Sequence, residues 1–249
     1  MEERYTAAEI RRYEAIYGRD FISPGGEASA RTFLAHATLD AGSNVLDVGC
    51  GVGGSAFYMA RTFGCRVDGI DLAPEAIRIA QARAAELGLD GLLTFIQGDF
   101  LEVATPRPAY DLVYSRDTFL HIPDKARLFA KVRDCLAPNG MLLFTDYVRG
   151  AAPPSEEFAT YVAAHGYALE TLSGYRDILA EAGLEVTRAD DLTAAFIAVH
   201  REELDRLTHA ELPIADVDYL TARWRRKISR AERGEQSWGL FMARKQAGT

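Results

Sequence analysis

Cysteine is scarce in this 249-residue sequence, and the three cysteines lie far apart. Cys50, Cys65 and Cys135 are too few and too widely spaced for a disulfide framework or a zinc site. This excludes the small secreted domains that disulfides hold together. We expect no metal site and a reduced, cytoplasmic compartment.

Long apolar runs and an excess of positive charge are also lacking. No stretch approaches the roughly 18 apolar residues that a membrane-spanning helix needs, and the start, MEERYTAAEI, has no signal-peptide pattern. The net charge of -8 and the pI of about 5.2 argue against nucleic acid as the main partner. The sequence therefore predicts a small-molecule partner, with no membrane or nucleic acid, and leaves the oligomeric state open.

A glycine-rich segment, NVLDVGCGVGGSAFYMA at 44–60, is the feature around which the chain is organised. The β-forming residues of VLDV predict a short buried strand, and the apolar spacing of SAFYMA predicts a helix. The glycines between them, above all Gly49, Gly51 and Gly53, predict a tight turn that a ligand can approach closely.

Asp47 decides which ligand this turn suits. The spacing of Gly49, Gly51 and Gly54 also matches the dinucleotide fingerprint, but a pyrophosphate is repelled by a carboxylate at the strand end. The same carboxylate suits an ammonium or a sulfonium. The run DVGCGVGG therefore resembles motif I of the S-adenosylmethionine methyltransferases; an ordinary glycine-rich turn is the alternative.

Strand and helix patterns alternate through most of the chain. After 44–60, strands are predicted at CRVDGIDL, LLTFIQGDF, YDLVYS, GMLLFTDYV, LEVTRADDL and SWGLFMARK, and helices at 6–18, 26–38, 74–87, 124–137, about 191–209 and 216–233, with a turn at 138–140. This predicts an α/β fold of the Rossmann-like, doubly wound class: a mostly parallel seven-stranded sheet with helices on both faces. We divide the single domain into an N-terminal helical lid (1–38), a cofactor-binding core (39–149), a helical cap insert (150–183) and the C-terminal part of the core (184–249).

Three acidic residues are predicted at the ends of successive strands: Asp47, Asp71 and Asp99. A carboxylate at Asp71 can accept hydrogen bonds from ribose hydroxyls, and one at Asp99 from an adenine amino group. Leu72 and Phe100 would then flank the adenine ring. A capping or turn role is the alternative for Asp71 and for Asp99.

The segment YSRDTFLHIPD follows the fourth strand and places Asp117 and His121 at the mouth of the sheet. An imidazole can accept a proton near neutral pH, so His121 is a candidate general base. A structural histidine is the alternative.

Nearly the whole chain resembles the phosphoethanolamine N-methyltransferases. The matching stretches are RYTAAEIRRYEAIYGRDFISPGG, VLDVGCGVGG, GIDL, YSRDTFLH, FTDYV, YVAAHGYAL, WRRKI and WGLF. The resemblance implies S-adenosylmethionine as cofactor and a small amine as acceptor. It adds to the cofactor site Tyr13, Ile22, Ser23 and Arg116. It implies a catalytic pair of Tyr5 and His121, with Asp117 facing the amine. It implies phosphate-binding roles for Tyr147, Tyr161, Tyr167 and Lys227.

One position departs from this family. Where the family has an arginine between the two tyrosines of YVxxRxY, this sequence has His165, which is shorter and often neutral. The change predicts weaker phosphate binding and supports a second hypothesis, an N- or O-methyltransferase of a natural-product or betaine pathway that uses a non-phosphorylated acceptor. An NAD-dependent oxidoreductase and a non-catalytic cofactor-binding regulator are further alternatives, disfavoured by Asp47 and by the Tyr5–His121 pair respectively.

Overall fold

The computed structural model describes residues 5–107 and 109–245. Residues 1–4 and 246–249, the outer ends of the predicted lid and C-terminal segments, lie outside the described residues. The helices are α1 (Ala7–Tyr17), α2 (Gly26–Leu34), α3 (Gly54–Phe63), α4 (Pro74–Glu86), α5 (Lys125–Cys135), α6 (Glu156–His165), α7 (Leu172–Glu181), α8 (Thr193–Leu207) and α9 (Ile214–Glu232). The strands are β1 (Asn44–Val48), β2 (Arg66–Asp71), β3 (Leu93–Gln97), β4 (Tyr110–Arg116), β5 (Leu136–Arg149), β6 (Leu184–Asp191) and β7 (Gln236–Lys245).

The strands form one seven-stranded sheet in the order β3-β2-β1-β4-β5-β7-β6. Strands β1 to β5 pair in parallel, and β7 runs antiparallel to both β5 and β6. The strand order reverses between β1 and β4, and open α/β sheets bind ligands outside the carboxyl ends of the strands at such a reversal. The predicted Rossmann-like fold class is confirmed.

Each face of the sheet carries its own apolar core, because side chains along a strand alternate between faces. Along β1, Val45 belongs to one core and Leu46 and Val48 to the other. Phe158 of α6 joins the first core and Tyr175 of α7 joins the second. The segment 150–183 therefore packs onto the sheet's own cores.

The N-terminal helices and the C-terminal helices pack together in a further apolar cluster. Ile16 and Tyr17 of α1 share it with Leu220 and Trp224 of α9, and the Tyr17 and Trp224 rings lie 5.7 Å apart. Helix α1 begins with the capping box that its sequence offers, since Thr6 and Glu9 cap each other's backbone. The lid segment therefore rests on α9.

Two predicted boundaries differ from the structure. Helix α2 ends at Leu34, four residues before the predicted end at 38, because the chain tightens at Ala35 and His36, whose N–H groups donate to the carbonyls of Arg31 and Phe33. The turn predicted at 138–140, before the fifth strand, is wrong, because β5 begins earlier, at Leu136. It is built into β5 as an irregularity: pairing with β4 continues on both sides of it, and Asn139 has a φ of 66°.

Candidate active site

The carboxyl ends of β1, β2 and β4 bring most of the predicted site residues to one edge of the sheet. Strand β1 lies between β2 and β4, with Asp47 in register with Gly69 on one side and Tyr114 on the other. Parallel strands end at the same edge, so the residues that follow each of them meet there.

Asp47 is a buried carboxylate with unused bonding capacity. It is 2% exposed, and its Oδ2 accepts no hydrogen bond from any described residue. Burial, and then the negative charge of Asp71, raise the pKa of Asp47 to about 7, while Arg116 acts in the opposite direction. A buried oxygen of this kind fits a ligand that brings a positive charge.

Asp71 fixes the glycine-rich turn to the end of β2. Its Oδ2 accepts from the Gly51 N–H at 2.8 Å, and its Oδ1 accepts from the Ala73 N–H at 2.9 Å. Each oxygen retains a further lone pair, so the carboxylate can still bind hydroxyl groups of a ligand. Gly51 is required here: it has a φ of 53°, and a Cβ on it would lie 2.8 Å from the Ile22 Cδ1.

The predicted adenine contacts are only partly supported. Asp99 is exposed and lies beyond the end of β3, where its Oδ1 accepts from the Leu101 N–H at 2.8 Å, the turn role that was the alternative. Leu72 is 58% exposed and open to a ligand. The flanking role of the Phe100 ring does not fit, because the ring is 4% exposed and packs into a sheet core.

The loop that precedes α2 is anchored from both sides. Arg116 is buried and donates to the carbonyls of Pro24 at 2.6 Å and Gly26 at 3.0 Å. On the other side, the Gly25 N–H donates to Glu203 of α8 at 2.7 Å. Arg116, predicted to bind cofactor, therefore holds the loop that carries Ile22 and Ser23, and the sequence missed Glu203.

Glu203 is itself held in place by α9. Its second carboxylate oxygen accepts from the Trp224 indole N–H at 2.7 Å. Burial raises the pKa of Glu203 to about 7, and the Gly25 and Trp224 hydrogen bonds act against that shift. No motif marks this glutamate, because its partners come from segments 178 and 21 positions away.

Replacing Glu203 with Ala is expected to loosen the loop at 21–26, since the Gly25 N–H and the Trp224 indole both lose their acceptor. Trypsin should cleave after the exposed Arg19 several-fold faster in the variant, because a larger fraction of the molecules would have this loop detached from the fold. Glu202→Ala, at an exposed neighbouring position, is the control. Equal cleavage rates in the wild type and Glu203→Ala would refute the anchoring role.

Asp117, like Asp47, has one carboxylate oxygen that no donor among the described residues reaches. Its Oδ1 accepts from the Trp238 indole at 2.7 Å and from the Thr145 hydroxyl at 3.1 Å, whereas its Oδ2 is buried and accepts nothing. Burial raises the pKa of Asp117, and Arg116 acts against this. The residue adopts a φ of 51°, a left-handed conformation that a non-glycine residue rarely takes.

Lys227 lies on α9 beside Tyr147 of β5. It is 4% exposed and its Nζ donates to the Tyr147 hydroxyl at 3.1 Å. Burial, and then the charge of Arg223, lower the pKa of Lys227 to about 7, while Glu203 and Asp117 act in the opposite direction. Asp117 and Lys227 thus affect each other's ionisation, which places a buried acid and a buried base in one site.

The remaining predicted acceptor residues form an aromatic group beside α6. The Tyr167 ring lies 5.1 Å from the His121 ring and 5.7 Å from the Tyr161 ring, measured between centroids. Burial raises the pKa of Tyr167, and the neighbouring phenols of Tyr161 and Tyr5 add to it. Tyr167 therefore connects the predicted catalytic pair, Tyr5 and His121, with the acceptor tyrosines.

His165 and Tyr13 are the last two of the predicted site residues to be placed in the structure. The His165 Nδ1 lies 2.8 Å from the Tyr161 carbonyl oxygen, one turn back on α6, and the two ring centroids lie 4.1 Å apart with the rings tilted by 37°. Tyr13, predicted at the cofactor, is largely buried: burial raises its pKa, and Arg223 of α9 acts against this rise. Its ring lies 6.5 Å from that of Trp224.

Comparisons with known proteins identify the family. A family described as Methyltransferase domain matches residues 45–140. Phosphoethanolamine N-methyltransferase 1 of Zea mays is 40% identical across 97% of the chain, which covers 49% of that protein. Phosphoethanolamine N-methyltransferase of Plasmodium falciparum is 31% identical, with 97% of this chain and 93% of that protein covered. The chain belongs to the phosphoethanolamine N-methyltransferase family.

A solved structure of this family has the same fold. Phosphoethanolamine N-methyltransferase 2 of Haemonchus contortus, in complex with phosphomonomethylethanolamine and S-adenosylhomocysteine, superposes with a TM-score of 0.93 at 30% identity, over 98% of this chain and 59% of that one. The chain spans about half the length of the plant members of the family that it matches. The prediction of the methyltransferase family is confirmed, and membership of this family argues against the oxidoreductase alternative.

The described residues offer no grouping suited to a metal. Across residues 5–107 and 109–245, no set of three histidine, cysteine or acidic side chains could hold an ion. No helix in these ranges combines the length and apolar character needed to cross a bilayer.

Proposed function

We propose that this chain transfers a methyl group from S-adenosylmethionine to the amine of phosphoethanolamine. The observation that carries this proposal is that Asp117 and the buried Lys227 bind adjacent points of one sheet region. Asp117 accepts from the Trp238 indole and Lys227 donates to the Tyr147 hydroxyl. Tyr147 and Trp238 are direct partners across β5 and β7. Phosphoethanolamine has an ammonium at one end and a phosphate at the other. The unpartnered Asp117 Oδ2 suits the first, and the Lys227 amine suits the second.

The cofactor would occupy the edge formed by β1, β2 and the loop before α2. Asp47 would bind its cationic end, Asp71 its ribose hydroxyls, and Ile22 would cover it from the lid side. When bound, S-adenosylmethionine supplies a methyl group on a positively charged sulfur. The acceptor groups that follow β4 and lie on β5 would then be beside this edge, where the amine could approach the methyl donor.

The residues of the chain prepare the amine for attack. Asp117 orients the ammonium, and His121 takes the proton that the amine must lose before its lone pair can react. Tyr167 lies against His121, and Tyr5 is an electrostatic neighbour of Tyr167. With substrates bound, these rings would exclude water and so keep the methyl group for the amine. Lys227 and Tyr147 hold the phosphate at the far end. The three cysteine thiols are buried and unpaired, in keeping with a reduced cytoplasmic setting for this reaction.

A methyl-transfer screen with labelled S-adenosylmethionine tests this proposal. Phosphoethanolamine should be methylated with the highest kcat/KM, ahead of ethanolamine, glycine and small phenols. Ethanolamine and phenols lack an anion for Lys227, and the glycine carboxylate lies closer to its amine and carries less negative charge than a phosphate. Preferred methylation of glycine or a phenol would contradict the proposal.

The second hypothesis keeps one specific observation in its favour. His165 stands where the family has an arginine, and its Nδ1 faces the carbonyl of Tyr161 on its own helix. An N- or O-methyltransferase of a natural-product or betaine pathway would need no phosphate-binding cation there. The same screen separates the two, since such an enzyme would prefer glycine or a phenol to phosphoethanolamine.

A further inference from the structure

A cleft of about 660 Å³ lies between α6 and α9. Tyr161 and His165 line it from α6, and the cations Arg223, Arg226 and Arg230 line it from α9. Glu156 and Glu157 also line it from α6. The cleft therefore places one predicted acceptor tyrosine, Tyr161, beside a row of guanidinium groups.

These guanidinium groups differ in what already binds them. Arg230 forms a two-pronged ion pair with Glu157, and its guanidinium lies 3.9 Å above the Tyr161 ring. Arg226 is exposed to solvent. Arg223 makes one hydrogen bond, from its Nη1 to the neutral Tyr219 hydroxyl at 3.1 Å, and no carboxylate in the described part of the chain pairs with it.

Arg223 is also partly withdrawn from water. Its Nε is buried and has no hydrogen-bond partner among the described residues. Its electrostatic neighbours are the phenols of Tyr13, Tyr161, Tyr167 and Tyr219. It stands one helical turn before Lys227, so both cations project from the same side of α9.

We propose that Arg223 is the guanidinium that binds the substrate's phosphate, supplying from α9 the cation that the family places on α6 where this chain has His165. A guanidinium with unused donors can bind a phosphate through two parallel hydrogen bonds, whereas His165 already directs its Nδ1 at the Tyr161 carbonyl. The proposal rests on the proposed function and names the residue that makes it specific for a phosphorylated amine. Arg223 and Lys227 together would match the two negative charges of the phosphate.

Arg223→Ala tests this assignment through the balance of KM and kcat. The KM for phosphoethanolamine should rise about 10- to 100-fold, as expected for the loss of a charge-assisted contact, with kcat changed less than about threefold. Arg225→Ala, at an exposed position on the same helix, is the matched control and should leave both constants unchanged. Affinity for S-adenosylhomocysteine, measured by calorimetry, should be the same in all three proteins.

A second variant separates charge from local packing. His165→Arg introduced into Arg223→Ala returns a guanidinium to the cleft from the α6 side and should lower the KM again. His165→Ala alone should change the KM less than Arg223→Ala does. The opposite order, with His165→Ala the more damaging of the two, would overturn the assignment.

The remaining outcomes distinguish the two proposals. If the wild type methylates phosphoethanolamine and Arg223→Ala does so with the same KM, the assignment of Arg223 is wrong and the proposed function stands. If the wild type does not methylate phosphoethanolamine, the proposed function fails, and calorimetry with inorganic phosphate decides on Arg223 alone. Phosphate binding that Arg223→Ala removes would support an anion site there; binding that is absent or equal in both would overturn it.

Discussion

Replacing His121 with Ala is expected to lower kcat by about 100-fold or more, the usual contribution of a general base. The amine of phosphoethanolamine is protonated near neutral pH, and its lone pair becomes available only when a base accepts the proton. His121 ends a short 3₁₀ turn directly after β4, four positions from Asp117, and its ring is set against Tyr167. The imidazole is therefore held next to the site where Asp117 would orient the ammonium.

The measurement is steady-state kinetics with saturating S-adenosylmethionine, together with calorimetry of S-adenosylhomocysteine binding. Cofactor affinity should be unchanged, because His121 contacts the acceptor side. His209→Ala, at an exposed histidine after α8, is the control. A kcat within a few-fold of the wild type in His121→Ala would refute the role of general base.

Replacing Asp47 with Asn is expected to weaken S-adenosylhomocysteine binding at least about tenfold and yet to stabilise the ligand-free protein above neutral pH. The carboxylate is 2% exposed, and the described residues give its Oδ2 no donor. Above its pKa of about 7, Asp47 is thus a buried carboxylate whose charge a cationic ligand would balance. Such a residue favours binding at a cost in stability.

The sign of the pH effect follows from the raised pKa. Asp47 has a pKa of about 7 in the native protein, whereas an unfolded aspartate has one near 3.9. Between these values the native state retains a proton that the unfolded state has released, so the stability of the wild type falls as the pH rises from about 4 to about 7. Asn does not titrate, so Asp47→Asn avoids this loss.

Thermal unfolding of the ligand-free proteins at pH 4.5 and pH 8 checks this expectation. The gain in Tm of Asp47→Asn over the wild type should be larger at pH 8, by about 2 to 10 °C, which corresponds to roughly 1 to 4 kcal/mol for a domain of this size. Asp90→Asn, at an exposed site before β3, should show no such difference. A gain in Tm that is equal at both pH values would contradict the buried, uncompensated state of Asp47.

The glycine-rich turn and its carboxylates are features of the site that the local sequence predicts. The short apolar run of β1, the glycines after it and Asp47 are adjacent in the chain, so their arrangement depends on local geometry that one stretch of sequence specifies. The alternation of strands and helices likewise predicted the mostly parallel sheet, which is confirmed. Of the three acidic residues predicted at successive strand ends, Asp47 and Asp71 lie on β1 and β2 at one edge, because parallel strands place their ends together, whereas Asp99 lies beyond the end of β3.

What only the tertiary structure decided is which side chains from distant segments complete the site, and how. Glu203 and Trp224 hold the loop at Gly25 across 178 and 21 positions of sequence, and Arg223 reaches the cleft because α9 packs beside α6. Two residues predicted at the adenine lie elsewhere in the structure. Phe100 packs into a sheet core, and Asp99 caps a surface turn. By itself the sequence determined the fold class, the methyltransferase family and the carboxylates at the strand ends. The anchoring of the lid and the charge environment of the acceptor cleft depend on packing between helices far apart in the chain, which no local pattern encodes.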